Sequence, residues 1–234
     1  FSAFIIHHSS FIILHSSLLM NLLLIRHGQM AGDPYVCPQR PVSGCLSAEG
    51  VAQARALRDA LASTRIDAAF SSPYGRALQT AEIAFAERGV PITIVPGLEE
   101  WKPDPALRDV TSTVFEALQM RDRERYAEET WKTEQGEGAF DVYARVVPAL
   151  LGALASFGWH HRMGGWLPDP GTEEATVAIT AHGGSLNVML AFILSVAPFP
   201  VGRFSFALTG VATIGFTERH GIYYPALSLQ TPAS

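Results

Sequence analysis

Leu22-Leu23-Leu24-Ile25-Arg26-His27-Gly28 is the stretch on which the reading of this 234-residue chain turns. Four apolar residues in a row read as a buried strand, and they run directly into an arginine, a histidine and a glycine. The C-terminal ends of strands are where open α/β sheets place their reactive groups. The arrangement recurs far downstream, where the β-branched and apolar run Ala175-Thr176-Val177-Ala178-Ile179-Thr180-Ala181 ends in His182-Gly183-Gly184. Two strands each deliver a histidine followed by glycine.

Bulk properties narrow the class of protein. Hydrophobic residues make up 48% and charged residues 17%, enough apolar surface to close a large core, and no Pro/Gly/Ser-rich linker divides the chain, so residues 20–234 read as a single domain. A formal charge of -5 speaks against a general nucleic-acid surface, which needs clustered Lys and Arg; an anionic small substrate would need a local basic pocket instead. Cys37 and Cys45 are the only cysteines, too few for a disulfide framework, and the cytoplasm is the expected compartment. Residues 1–19 are apolar but interrupted by His7, His8, His15 and five serines. They lack a basic n-region and fall short of a membrane span, so they read as a leader or extension ahead of a natural start at Met20.

Along the chain, Ser47 is placed to cap a helix with apolar positions Val51, Ala54, Leu57 and Leu61, ending near Ala62. Asp67–Phe70 reads as a strand, Pro73–Arg88 as a helix and Ile92–Val95 as a third strand. A charged insertion, about 101–138 and including Arg121-Asp122-Arg123-Glu124-Arg125, follows. Asp141–Phe157 and Leu186–Val196 read as helices, 159–172 as a loop, and Phe204–Leu208 and Ala212–Thr217 as strands around a Thr209-Gly210 turn. The order predicts a three-layer α/β/α sandwich with a mostly parallel central sheet and a helical insertion over its active edge.

With Ser71-Ser72-Pro73-Tyr74-Gly75-Arg76-Ala77-Leu78-Gln79-Thr80-Ala81-Glu82 between the two His-Gly pairs, the chain resembles the histidine phosphatase superfamily, the phosphoglycerate-mutase-like proteins, from about Asn21 to Phe216. Arg-His-Gly alone is a weak signal. The ordered set is far more specific: strand, Arg-His-Gly, an Arg-bearing helix opening, a carboxylate after a further strand, then strand and His-Gly.

The resemblance implies a phosphoryl-transfer site whose chemistry suits these residue types. A neutral imidazole can attack phosphorus in line and form a phosphoramidate, which makes His27 the candidate nucleophile. Its second ring nitrogen must carry the proton, and a carbonyl in the turn at Gly28 would fix that tautomer. Arg26 and Arg76 would clamp the equatorial oxygens together with His182 if that ring is protonated, with Gly28 and Gly183 completing the substrate-binding set. The proton donor falls in a Leu-x-Glu pattern, so Leu98-Glu99-Glu100 nominates Glu100, with its neighbour Glu99 as the alternative. The resemblance implies no metal or other cofactor. His160-His161 and His7-His8 lack Cys or carboxylate partners at ligand spacing and read as loop and leader residues.

The chain departs from the family after Arg-His-Gly. Gln29-Met30-Ala31-Gly32-Asp33 stands where members commonly carry Glu-Thr or Glu-Ser and then Asn, and the Trp-Asn continuation of the mutases and the Arg-x-Pro continuation of the secreted acid phosphatases are both missing. The intracellular phosphatase branch remains. The expectation is a metal-independent phosphomonoesterase acting on a small phosphorylated metabolite, with a mutase-type transfer or a non-catalytic phospho-ligand binder as alternatives. Tyr35, Arg40, Trp101, Lys102 and Arg108 are candidate specificity residues, no membrane or nucleic-acid partner is expected, and the sequence leaves the oligomeric state open.

Overall fold

In the computed structural model the strand β1 (Met20–Arg26) lies in the middle of an eight-stranded sheet. The structure describes residues 20–32, 45–102, 113, 114, 117, 128, 130–199 and 202–226. The residues 1–19, Cys37 and most of the insertion expected over the active edge lie outside that set.

β1 is buried on both faces because each face is covered by helices. Leu22 and Leu24 point into one core with α3 (Ala139–Phe157) and α4 (Gly183–Ile193). Leu23 and Ile25 point into the other, against Leu57 and Leu61 at the end of α1 (Ala48–Ala60) and Ala81, Ala84 and Phe85 of α2 (Gly75–Phe85). An uninterrupted apolar run is what a strand sandwiched between two helical layers requires, since a period of two would leave one face polar. By length and composition α3 could cross a bilayer, but Val142, Val146, Val147, Leu150, Ala153 and Leu154 are buried on one side of it, the pattern of a core helix.

The remaining strands are β2 (Ala68–Ser71), β3 (Ile92–Ile94), β4 (Trp159–Arg162), β5 (Gly165–Pro168), β6 (Thr176–Ala181), β7 (Val211–Arg219) and β8 (Ile222–Ala226), in the spatial order β3-β2-β6-β1-β7-β8-β5-β4. The β3-β2, β2-β6 and β6-β1 pairings are parallel; the other four are antiparallel. The sheet is therefore mixed, not mostly parallel as expected. The reason lies in two tight connections. Met163-Gly164 joins β4 to β5 and His220-Gly221 joins β7 to β8, with positive φ at both residues of each pair (55° and 75°, 57° and 80°). That is the twist of a two-residue hairpin turn, which can join only antiparallel neighbours.

Other boundaries move for local reasons. The stretch 159–172, expected as a loop, contains the β4-β5 hairpin, anchored by the fully buried Trp159 and nearly buried Trp166. Phe204–Leu208 is not a strand: Asn187 stands in for a strand partner, accepting from the Phe204 N–H at Oδ1 (2.7 Å) and donating through Nδ2 to the Phe204 carbonyl (2.7 Å). Ser47 caps α1 as expected, its Oγ accepting from the Gly50 N–H at 3.0 Å. α2 gives way to a 3-10 turn over Ala86–Arg88 that stops at Gly89, where φ is +71°. α4 begins three residues earlier than expected, directly after His182.

Candidate active site

The parallel strands end at one rim, and the backbone ladder carries β1, β2 and β3 a residue further. His27 N–H donates to Ala181 O (3.1 Å), Ser72 N–H to Thr180 O (3.0 Å) and Val95 N–H to Ser71 O (2.9 Å). His27, Ser72 and His182 are thereby held side by side on rigid backbone, and α2 and α4 open at the same rim with their N-terminal N–H groups directed towards it. The rings of His27 and His182 lie 5.1 Å apart, centroid to centroid, at 58°.

His27 is oriented at both nitrogens. Nδ1 lies 2.8 Å from the Gly28 carbonyl, which can only accept, so Nδ1 carries the proton and Nε2 presents a lone pair. Arg76 Nε donates to that lone pair at 3.1 Å. Burial, then the Arg76 and Arg26 charges, push the imidazole down to about 3 against the opposing effect of the Gly28 hydrogen bond. The ring is neutral throughout the physiological range, as a nitrogen nucleophile must be.

His182 is fully buried, and its Nε2 sits 2.8 Å from Ser72 Oγ. Ser72 Oγ, which also accepts from the Tyr74 N–H at 3.3 Å, can turn its hydroxyl proton to Nε2, and the His182 proton then sits on Nδ1. Burial, with Arg76 as the next cause, lowers this imidazole well below its ordinary value as well. Tyr74 meets His182 edge-on at 5.3 Å and lies beneath the Arg76 guanidinium at 5.2 Å, bracing both.

Among the described residues, three buried nitrogens around His27 have no partner: Arg26 Nε, Arg76 Nη1 and His182 Nδ1. The rest of each group is held in place. Arg26 Nη1 donates to Phe206 O (2.6 Å), and Arg76 is tied through its own carbonyl to Thr80 Oγ1 (2.7 Å), which accepts in turn from the Gly28 N–H (3.0 Å). A buried donor left unsatisfied costs about 1–3 kcal/mol, so three converging ones amount to a built receptor for an acceptor with several oxygens.

Glu100 approaches from the opposite side. Its Oε1 and Oε2 accept from the Gly184 N–H at the start of α4 (3.1 and 3.2 Å), and Oε1 also accepts from the Trp101 N–H (2.9 Å). A Cβ at Gly184 would meet Glu100 Oε1, so a larger residue there would displace the carboxyl. At Gly183 a Cβ would make only ordinary contacts, 3.8 Å from the Arg26 guanidinium carbon and 3.9 Å from Glu100 Oε2. Glu99 turns away, accepting from the Gly97 N–H (2.8 Å) and pairing with Arg145 (3.3 Å).

A buried neutral histidine, two guanidinium groups, a second histidine and a carboxylate at one sheet rim coincide with a match, over residues 22–223, to the model of the histidine phosphatase superfamily (branch 1). The chain belongs to the histidine phosphatase superfamily. It is a hydrolase of phosphate esters. It is 25% identical over 184 residues, 75% of this chain and 79% of the relative, to the adenosylcobalamin/alpha-ribazole phosphatase of Escherichia coli (strain K12). Among solved structures, the mycobacterial glucosyl-3-phosphoglycerate phosphatase complexed with VO3 superposes with a TM-score of 0.67 at 22% identity, covering 91% of this chain and 99% of that one. The alpha-ribazole phosphatase of Shigella flexneri does so at 0.63 and 20%, covering 89% and 95%. At these identities the structural matches establish a shared fold.

Within this histidine phosphatase the residues singled out in the sequence gather unevenly. Arg26, His27, Arg76, His182 and Glu100 converge. Gly28 adjoins them; its N–H is taken by Thr80, and a Cβ there would lie 2.7 Å from the Gly50 carbonyl, so its glycine serves packing against α1. Gln29 is tied to Ser47 Oγ (2.8 Å) and its N–H to Gln53 (2.9 Å), pinning the start of α1. The Trp101 indole donates to Glu137 O, and the Lys102 N–H to Glu137 Oε2 (2.9 Å). Tyr35, Arg40 and Arg108 lie outside the described residues. His160 pairs with Asp169 (3.3 Å) and His161 packs between Trp166 and Phe192, both at 5.0 Å. Among the described residues no three His, Cys, Asp or Glu side chains gather as a metal site.

Sequence reasoning missed Ser72, Tyr74, Thr80 and Arg145. The first three stand inside the quoted motif and were open to the question of what holds the rings in place; Arg145 carries no local signal.

Proposed function

We propose that this chain is a phosphomonoesterase that works through a phosphohistidine on His27 and acts on a small phosphorylated metabolite. The observation that carries the reading is the trio of orphaned buried N–H groups, Arg26 Nε, Arg76 Nη1 and His182 Nδ1, around the lone pair of His27 Nε2. A phosphoryl group brings three equatorial oxygens to such donors.

In the first step Nε2 gives up its hydrogen bond from Arg76 and attacks phosphorus; the P–N bond forms as the P–O bond to the leaving group breaks. Protonated Glu100 gives its proton to the departing alkoxide. In the second step Glu100, now a carboxylate, takes a proton from water while the oxygen displaces His27, restoring the neutral imidazole and releasing phosphate. No step calls for a metal, and the relatives named as alpha-ribazole and glucosyl-3-phosphoglycerate phosphatases support a sugar-linked phosphomonoester as the substrate class.

The test is a turnover screen over sugar phosphates, nucleotides and phosphoglycerates in excess chelator. Release of inorganic phosphate that survives chelation is expected. Transfer to a second hydroxyl, seen as conversion of 3- to 2-phosphoglycerate, would replace hydrolysis by mutase chemistry, and phosphate binding without turnover would make the protein a binder.

A further inference from the structure

Arg145, in the second turn of α3, faces the rim from behind Glu100. Its Nη1 donates to Gly97 O (2.9 Å), Glu99 O (3.1 Å) and Glu99 Oε2 (3.3 Å); its Nη2 donates to Glu100 O (3.2 Å) and Glu137 Oε2 (2.6 Å); its Nε donates to Glu137 Oε1 (2.7 Å). One guanidinium thus gathers three carbonyls of the segment that ends in Glu100 and a bidentate carboxylate. Lysine has neither the fork nor enough donors to do the same.

Glu137 closes the other side. Its N–H donates to Lys102 O (2.9 Å), its Oε2 accepts from the Lys102 N–H, and its carbonyl receives the Trp101 indole. Trp101 in turn donates its own N–H to Glu100 Oε1. Glu100 is therefore bracketed: Arg145, with the fully buried Leu98 as anchor, fixes the residues before it and Glu137 those after it. Gly97, at φ +99°, lets the segment lie against α3, since a Cβ there would come within 2.6 Å of the Ala149 Cβ.

We infer that Arg145, with Glu137, is a positioning residue that aims the Glu100 carboxyl at the leaving-group oxygen. The inference rests on the reading of Glu100 as proton donor, and it predicts a signature that general loosening does not produce. An acid matters most for a poor leaving group such as an alkoxide and least for p-nitrophenolate.

Arg145→Met should lower kcat for glycerol phosphate by at least about tenfold and kcat for p-nitrophenyl phosphate by no more than about threefold, with both KM values within about threefold, since only the donor's aim is disturbed. Arg145→Lys should fall between parent and Arg145→Met. Glu100→Gln serves as the reference and should show the same selectivity more strongly. Equal losses on both substrates, or no loss on either, would overturn the positioning role. If Glu100→Gln itself failed to discriminate between the two leaving groups, the assignment of Glu100 would fall and the inference with it, a result distinct from failure of Arg145 alone. Should Arg145→Met not fold by circular dichroism, Glu137→Gln carries the same expectation and the same grounds for rejection.

Discussion

The two halves of the sheet are built for different purposes. The strands β3, β2, β6 and β1 run parallel, are joined through helices, and end together at a single rim where His27, Ser72, Arg76, Glu100 and His182 meet. The strands β7, β8, β5 and β4 run antiparallel and turn through tight hairpins. That half gathers no reactive groups; it buries Trp159, Trp166 and Phe216, whose rings meet at 6.0 Å in edge-on pairs. Parallel strands bring every C-terminal end to the same edge, together with the N-termini of the helices that follow, so reactive side chains and anion-binding backbone coincide there. Hairpins alternate their ends and cannot do this.

If the parallel half carries the chemistry and the antiparallel half only stability, substitutions in the two should separate cleanly. The largest effect is expected at the rim: Arg76→Ala removes a donor to both His27 and the transferred group, and kcat for p-nitrophenyl phosphate should fall by about 10²–10³. A loss below tenfold in steady-state kinetics would mean that Arg76 is not part of the phosphate clamp.

Acid should expose the same asymmetry. His27 drops from an ordinary 6.5 in the unfolded chain to about 3 when folded, and His182 also moves downward, so between these values the unfolded chain binds more protons. Stability is complete above pH 6.5 and declines as pH falls towards 3, with a slope of up to about 1.4 kcal/mol per pH unit for each imidazole. Denaturant midpoints taken from pH 7 to pH 4 should fall less in His27→Gln than in the parent. The exposed His161 on β4, which burial lowers as well, should matter less: His161→Gln should track the parent. Parallel curves for His27→Gln and the parent would show that this ring is not the buried neutral group described above.

Gly184→Ala is the next test. Its methyl group collides with Glu100, so kcat should drop about tenfold with little change in melting temperature, by misplacement of the carboxyl. Smallest is Gly164→Ala in the β4-β5 turn, where φ is +75°: stability should fall by about 1 kcal/mol with kcat unaltered. An equal effect of both substitutions on kcat would dissolve the division between the halves.

The same contrast governs what the sequence disclosed. Leu22–Ile25 and Ala175–Ala181 were legible as strands because helices cover both faces, which writes burial as continuous apolar runs, and each run leads into one of the two histidines at the rim. In the antiparallel half only β7 was legible, as Ala212–Thr217 after the Thr209-Gly210 turn. β4 is Trp-His-His-Arg with half its residues exposed, Pro168 and Pro225 sit within strands that would ordinarily avoid them, and the hairpin turns place Met163 and His220 at φ values that neither residue advertises. Glu100 could be nominated but not separated from Glu99, because that choice depends on which carboxyl reaches the Gly184 N–H and which is drawn off by Arg145. Arg145 itself was silent, since it acts on backbone carbonyls from a helix far along the chain.

The central claim is that the His27 Nε2 lone pair receives the phosphoryl group. Acid-free quenching of the enzyme during turnover of a radiolabelled phosphomonoester, followed by peptide mapping, tests it most directly. The account predicts a phosphoryl label that is stable to base, labile to acid, located on His27 and abolished in His27→Gln. A label on another residue, or hydrolysis that continues at the parent rate in His27→Gln, would contradict it.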